Sequence, residues 1–128
     1  MANEFSKTEF RARCLNVVDG DTVDLLIDIG FHITFTGRFR ILGINTAELH
    51  AKDPAERVLA VAAKDQVTAW LKPSQATSVD WPLQVRTKKD TDSFGRWLAE
   101  ITLDIDGLPS QSVGQKLLEL KLAVPYKG

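Results

Sequence analysis

Three segments rich in β-branched and apolar residues follow one another almost without pause in the first third of the chain: Thr8–Val18, Thr22–Ile29 and Phe31–Ile44. Only Asp19-Gly20-Asp21 and Gly30 separate them, and Asp-Gly and Gly are turn signals. The start of the chain is therefore committed to β-sheet. In the third segment Thr34, Thr36, Arg38 and Arg40 fall on one side and Phe35, Phe39 and Ile41 on the other. Two regularly spaced arginines on one strand face need a reason, because a merely solvated face accepts many polar types.

After Pro54 the period changes. Leu59, Ala63, Val67 and Trp70 recur at helical spacing, and Pro73 stands just beyond. The spacing predicts a helix whose alanines pack closely against a sheet, with Trp70 in the core. A fourth strand is expected over Val79–Thr87, with Pro82 marking an edge or irregular start, and a fifth over Arg96–Asp104, ending at Asp106-Gly107. Ser112 with Gln115 three residues on forms a capping-box arrangement opening a second helix, with Val113, Leu117 and Leu120 on one face. Pro73-Ser74-Gln75 and Leu108-Pro109-Ser110 read as loops. Five strands with one helix after the third and another at the end predict a mainly β, α+β domain: a small closed or partly closed barrel carrying helices.

At 128 residues the chain is expected to form one domain, with residues 1–7 a flexible leading segment. A formal charge of −1 argues against binding nucleic acid by broad phosphate neutralisation, so any such contact is local. Its apolar runs fall far short of the roughly 20 residues of a membrane helix. The opening M-A-N-E-F-S-K-T-E-F lacks the pattern of a secretory signal, so a cytoplasmic setting is expected. The one cysteine, Cys14, has no disulfide partner in the chain and sits in a strand, where it reads as a small buried hydrophobe.

The stretch V-V-D-G-D-T-V-D-L-L, Val17 to Leu26, holds two carboxylates one residue apart. It reads either as a turn or as a site for a hard cation, which takes clustered oxygen ligands. Two further segments stand in order behind it: R-I-L-G-I-N-T-A-E at 40 to 48 and D-S-F-G-R at 92 to 96. Together the three segments resemble the staphylococcal nuclease (thermonuclease) family over about residues 8 to 126, closing with L-A-V-P-Y. The resemblance implies a five-stranded barrel of the oligonucleotide/oligosaccharide-binding (OB-fold) type with helices packed against it.

It also implies an activity: calcium-dependent hydrolysis of phosphodiester bonds in DNA, extending to RNA, with low sequence specificity by a monomer. Calcium would be held by Asp21, Asn45 and the backbone carbonyl of Thr46, with Asp19 in support. Arg40 and Arg96 would grip the phosphate through bidentate guanidinium contacts, and Glu48 would activate or position water. Phe94 and Tyr126 would line the nucleotide groove, a ring face accepting any base by stacking.

Two residues depart from the family pattern. Asn45 stands where a second carboxylate is usual, which removes one negative charge from the ligand set and predicts weaker calcium binding. Ser93 stands where a lysine is usual and removes one phosphate contact. A rival expectation is a catalytically weakened domain that binds nucleic acid or a protein without cleaving. His32 and His50 lack the companions of a zinc site and are expected to be surface or structural residues. Lys88 and Lys89 read as a solvated pair or a backbone contact, and Arg38 as a helper on the Arg40 face.

Overall fold

The computed structural model describes residues 9–75, 77, 79–89 and 97–126. Residues 1–7, Phe94 and Arg96 lie outside the described residues.

Strand β1 (Glu9–Asp19) pairs antiparallel with β2 (Thr22–Gly30) around the Asp19–Asp21 turn, and β2 with β3 (Ile33–Ile41). The third strand is thus shorter than expected at both ends. Gly30, Phe31 and His32 all take positive φ and make the turn, and Gly43, at φ +81, breaks the strand before β4 (Ile44–Asn45). Gly43 adopts a conformation that few other residues accept.

Helix α1 (Pro54–Leu71) is capped by Asp53, whose side chain accepts from the Ala55 N–H at 3.0 Å, with Pro54 supplying a preset φ at the first turn. It ends at Lys72 in the left-handed conformation, just before Pro73. Its buried stripe is Ala60, Ala63, Val67 and Leu71, and Leu59, expected inside, is exposed. The stripe is set by the face turned to β1, a choice among near-equal helical registers that local spacing does not make. Trp70 packs partly buried against the core.

Strand β5 (Leu83–Lys89) starts only after Pro82, four residues later than expected, because proline lacks the ladder donor. It pairs with β6 (Trp97–Ile105), which in turn pairs with β7 (Leu108–Ser112) across the Asp106-Gly107 turn. Leu108-Pro109-Ser110, expected as a loop, is therefore strand, held there by pairing with β6. Ser112 caps α2 (Val113–Glu119) by accepting from the Gln115 N–H at 3.3 Å. Val113 and Leu117 are buried, whereas Leu120 is half exposed because the helix stops before it. Strand β8 (Val124–Pro125) pairs with β4.

The sheet closes. In the order β3-β2-β1-β5-β6 each strand pairs with the next, and β6 returns to β3 in parallel over Phe39–Ile41 and Trp97–Ala99. The result is a closed, five-stranded mixed barrel of OB-fold type with two helices packed against it, as the sequence predicts. Its interior holds Val23, Leu25, Phe39, Ile41, Val85 and Ile101, each at or below 2 % exposure. Cys14 is buried there too, and burial pushes its thiol pKa up to about 11. Phe35, on the same side of β3 as Phe39, is half exposed, since the β2–β3 ribbon runs beyond the barrel. Among the described residues no helix is long and apolar enough to cross a membrane.

Candidate active site

The turn between β1 and β2 sits at one rim of the barrel, and its position is fixed by contact. A Cβ on Gly20 would lie 2.7 Å from the Ala63 Cβ of α1 and 3.0 Å from Thr46 Cγ2, so only glycine lets the turn pass between helix and loop. Asp19 Oδ1 accepts the Asp21 N–H at 3.1 Å, closing an Asx turn. The turn reading is therefore correct as far as it goes.

Asp21 is buried and aimed inward across the rim. Its Oδ1 accepts from the Thr22 hydroxyl and its Oδ2 from the Thr46 N–H, both at 3.1 Å. The Arg40 Nη2 stands 3.7 Å from Oδ2. Arg40 comes from β3, opposite Thr22 in the ladder, so strand register delivers it to the turn. The same Nη2 donates to the Ile44 carbonyl at 3.1 Å and to Asn45 Oδ1 at 2.9 Å. Over the guanidinium lies the Tyr126 ring, with 4.5 Å from Cζ to the ring centroid. The β4–β8 ladder and a 3.0 Å hydrogen bond from the Tyr126 N–H to the Gly43 carbonyl hold that ring in place.

Asp19 and Asp21 share one environment and split their titration. Burial, then the hydrogen bond and charge of the Asp21 carboxyl, push the Asp19 pKa up to about 6. Burial also acts to raise Asp21, but the Asp19 hydrogen bond, the Thr46 N–H and the Arg40 charge outweigh it, and its pKa is lowered. Two carboxyls this close do not ionise independently.

The donors here suit a hard cation: two carboxylates, an amide oxygen and the oxygens of Thr46, whose buried hydroxyl has no hydrogen-bond partner among the described residues. The fit is incomplete. Asn45 offers Oδ1 to Arg40, and among the described residues no group of three or more His, Cys, Asp or Glu side chains is placed to hold a metal.

Of the residues expected in the site, Asp19, Asp21, Arg40, Asn45, Thr46 and Tyr126 come together. Glu48 lies two residues past Thr46, exposed, and among the described residues no hydrogen bond or ion pair joins its carboxylate to Asp21 or Arg40. Arg96 and Phe94 lie outside the described residues, although the next residue, Trp97, pairs with Phe39 beside Arg40. Arg38 shares the strand face but is paired with Asp24 at 2.8 Å. His32, His50, Lys88 and Lys89 are exposed. Sequence reasoning missed Thr22 as a partner of Asp21 and the stacking of Tyr126 on Arg40. Thr22 was visible as the last letter of D-G-D-T; the stacking depends on a two-residue ladder too short to leave a pattern.

No protein-family model matches the chain, and no curated protein matches it.

Proposed function

We propose that the chain is a nuclease of the staphylococcal type that hydrolyses phosphodiester bonds in DNA and RNA with low sequence preference, assisted by a weakly held calcium ion. The observation that carries this reading is the convergence of Arg40 on Asp21, Asn45 and Tyr126, which come from the β1–β2 turn, the short strand β4 and the residue after β8.

In this reading Arg40 is held at one end, Nη2, and offers its other terminal nitrogen to a phosphate oxygen. Fixing a donor in advance stabilises the charge that builds on the phosphoryl group without reorganisation. Arg96 serves the departing oxygen. Glu48 takes the proton of the attacking water as the water oxygen bonds to phosphorus, and the ester oxygen leaves with its electron pair and takes a proton from solvent. Tyr126, exposed on one side, presents a face to a base. Calcium, when bound by Asp21, Asn45 and the Thr46 carbonyl with Asp19 in support, would polarise the phosphate.

A second reading, a domain that binds without cleaving, is favoured by one observation: Asn45 Oδ1, the oxygen a cation needs, accepts from Arg40. The deciding experiment is cleavage of single-stranded DNA with calcium titrated from trace to high concentration, comparing wild type, Asn45→Asp and Glu48→Gln. Activity that needs high calcium, gains affinity for it in Asn45→Asp and collapses in Glu48→Gln is expected. DNA binding with no cleavage by any of the three proteins overturns the nuclease reading in favour of the second.

A further inference from the structure

Where α1 ends, a cleft of about 810 Å³ opens between three pieces of chain: the last turn of that helix, the segment Asp80-Trp81-Pro82 leading into β5, and the β6–β7 turn. Its volume lies in the range of small-molecule sites. None of its lining residues belongs to the rim around Arg40. Each wall is pinned. Arg11, on β1, donates through Nε and Nη2 to the Trp81 carbonyl. Arg13, buried, donates through Nε to the Asp80 carbonyl at 2.9 Å and lays its guanidinium on the Trp81 ring, 4.1 Å from the centroid. The Ser74 N–H donates to the Cys14 carbonyl at 2.9 Å and ties the chain after α1 to β1, and Asp104 Oδ1 accepts the Ser110 N–H at 3.1 Å across the β6–β7 turn. A cleft held this way loses little freedom when it is filled.

The lining is sorted by charge. Arg11 and Lys72 come from β1 and the C-cap of α1, whereas Asp104 and Asp106 come from the end of β6 and its turn, with β5 lying between β1 and β6. Register sets Arg11 opposite Gln84 and Gln84 opposite Thr102, so the Arg11 and Asp104 backbones stand about 12 Å apart, two strand spacings across and two residues along. Among the described residues no ion pair takes up any of these four charges. Trp70, Trp81 and Leu103 supply apolar lining, and Asp80 lines the cleft beside Trp81.

We propose that this cleft binds a small zwitterion with a flat apolar body, an aromatic α-amino acid. Its carboxylate meets Arg11 and Lys72, its ammonium meets Asp104 and Asp106, and its ring lies against Trp70 and Trp81. Arg11 keeps Nη1 for the carboxylate, because the Trp81 carbonyl takes Nε and Nη2. The separation of charge selects against simpler ligands: an anion of this size leaves the two carboxylates without a partner, and a cation leaves the arginine and lysine without one. Roughly a dozen heavy atoms at ordinary ligand efficiency place the dissociation constant on the order of 0.1–1 mM. The site does not depend on the nuclease reading.

The test is titration of the full chain with phenylalanine to about 10 mM, well above such a constant, read from the indole N–H resonances of the three tryptophans. Trp70 and Trp81 line the cleft and are expected to shift and saturate, while Trp97, which does not line it, stays in place. Phenylalaninamide, N-acetylphenylalanine and alanine each lack one of the three recognised groups and should bind at least about 10-fold more weakly. The double variant Asp104→Asn, Asp106→Asn keeps an oxygen for the Ser110 N–H. It should weaken phenylalanine about 10-fold and leave N-acetylphenylalanine unchanged, with an unaltered urea midpoint. Lys72→Gln, at an exposed position, should weaken phenylalanine and leave the amide unchanged. No shift of Trp70 and Trp81 overturns the proposal. So does amide or acetyl ligand that binds as tightly as the free amino acid, which would make the occupant a simple cation or anion, and so does a double variant that weakens phenylalanine and N-acetylphenylalanine equally.

Discussion

Replacing Asp19 with asparagine should stabilise the protein at neutral pH and leave it unchanged in acid. The Asp19 carboxyl goes from an ordinary 3.8 to about 6 in the fold, driven by burial and by Asp21. Between those values the native state holds more protons than the unfolded chain, so this residue's contribution to stability falls as pH rises from about 4 and levels off above about 7. Two units correspond to roughly 3 kcal/mol. That is a ceiling, because Asp19 is only partly buried and Asp21 shifts the opposite way through the same contact; about 1–2 kcal/mol should survive screening. Asparagine keeps an oxygen for the Asp21 N–H, so the turn is not lost. The assay is urea unfolding of both proteins from pH 4 to pH 8 with chelator present. The difference should grow from near zero to its full value across that range, while the pH effects of other groups cancel. A difference that is constant with pH, or an asparagine variant that is weaker at neutral pH, would refute the account of this pair. Added calcium should then stabilise wild type more than the variant.

Gly20→Ala should cost about 1–3 kcal/mol in the same urea assay, as overpacking does, because the new Cβ lands 2.7 Å from that of Ala63. Ala63→Gly in the same chain should recover part of the loss; an alanine variant as stable as wild type would contradict the close approach. Cys14, buried with a thiol raised to about 11, should react with a thiol reagent at mild alkaline pH at least about 100-fold more slowly than in the urea-unfolded chain. Equal rates would mean that the strand is open.

How much of this was legible beforehand follows from the range over which each feature is decided. The strands around Asp19–Asp21 and the Asp53-capped helix are local matters of turn chemistry and period, and they lie close to where the sequence places them. Leu59 and Leu120 fall outside the core because the buried face of a helix is chosen by what it packs against. Leu108–Ser112 becomes a strand despite Pro109 because β6 has an edge free to receive it. The meeting of Asp21, Arg40 and Asn45 could be inferred only through likeness to a known family; nothing in the letters states that a turn, a strand and a two-residue ladder share one rim. That Asn45 engages Arg40 was not legible at all, being a choice among hydrogen-bond partners made in the folded chain.

Among the described residues the barrel closes through three facing residue pairs, Phe39–Ile41 against Trp97–Ala99, and these are contacts between segments 58 positions apart. Bringing such distant segments together is entropically costly and belongs late in assembly. Arg40 sits in the middle of that seam, opposite Leu98. A nascent or partly opened chain can therefore keep its β1–β2–β3 meander and still lack the finished rim around Arg40, so the arrangement of Asp21, Arg40 and Asn45 would appear abruptly, with the last step of folding, and would be the first feature lost when the seam loosens.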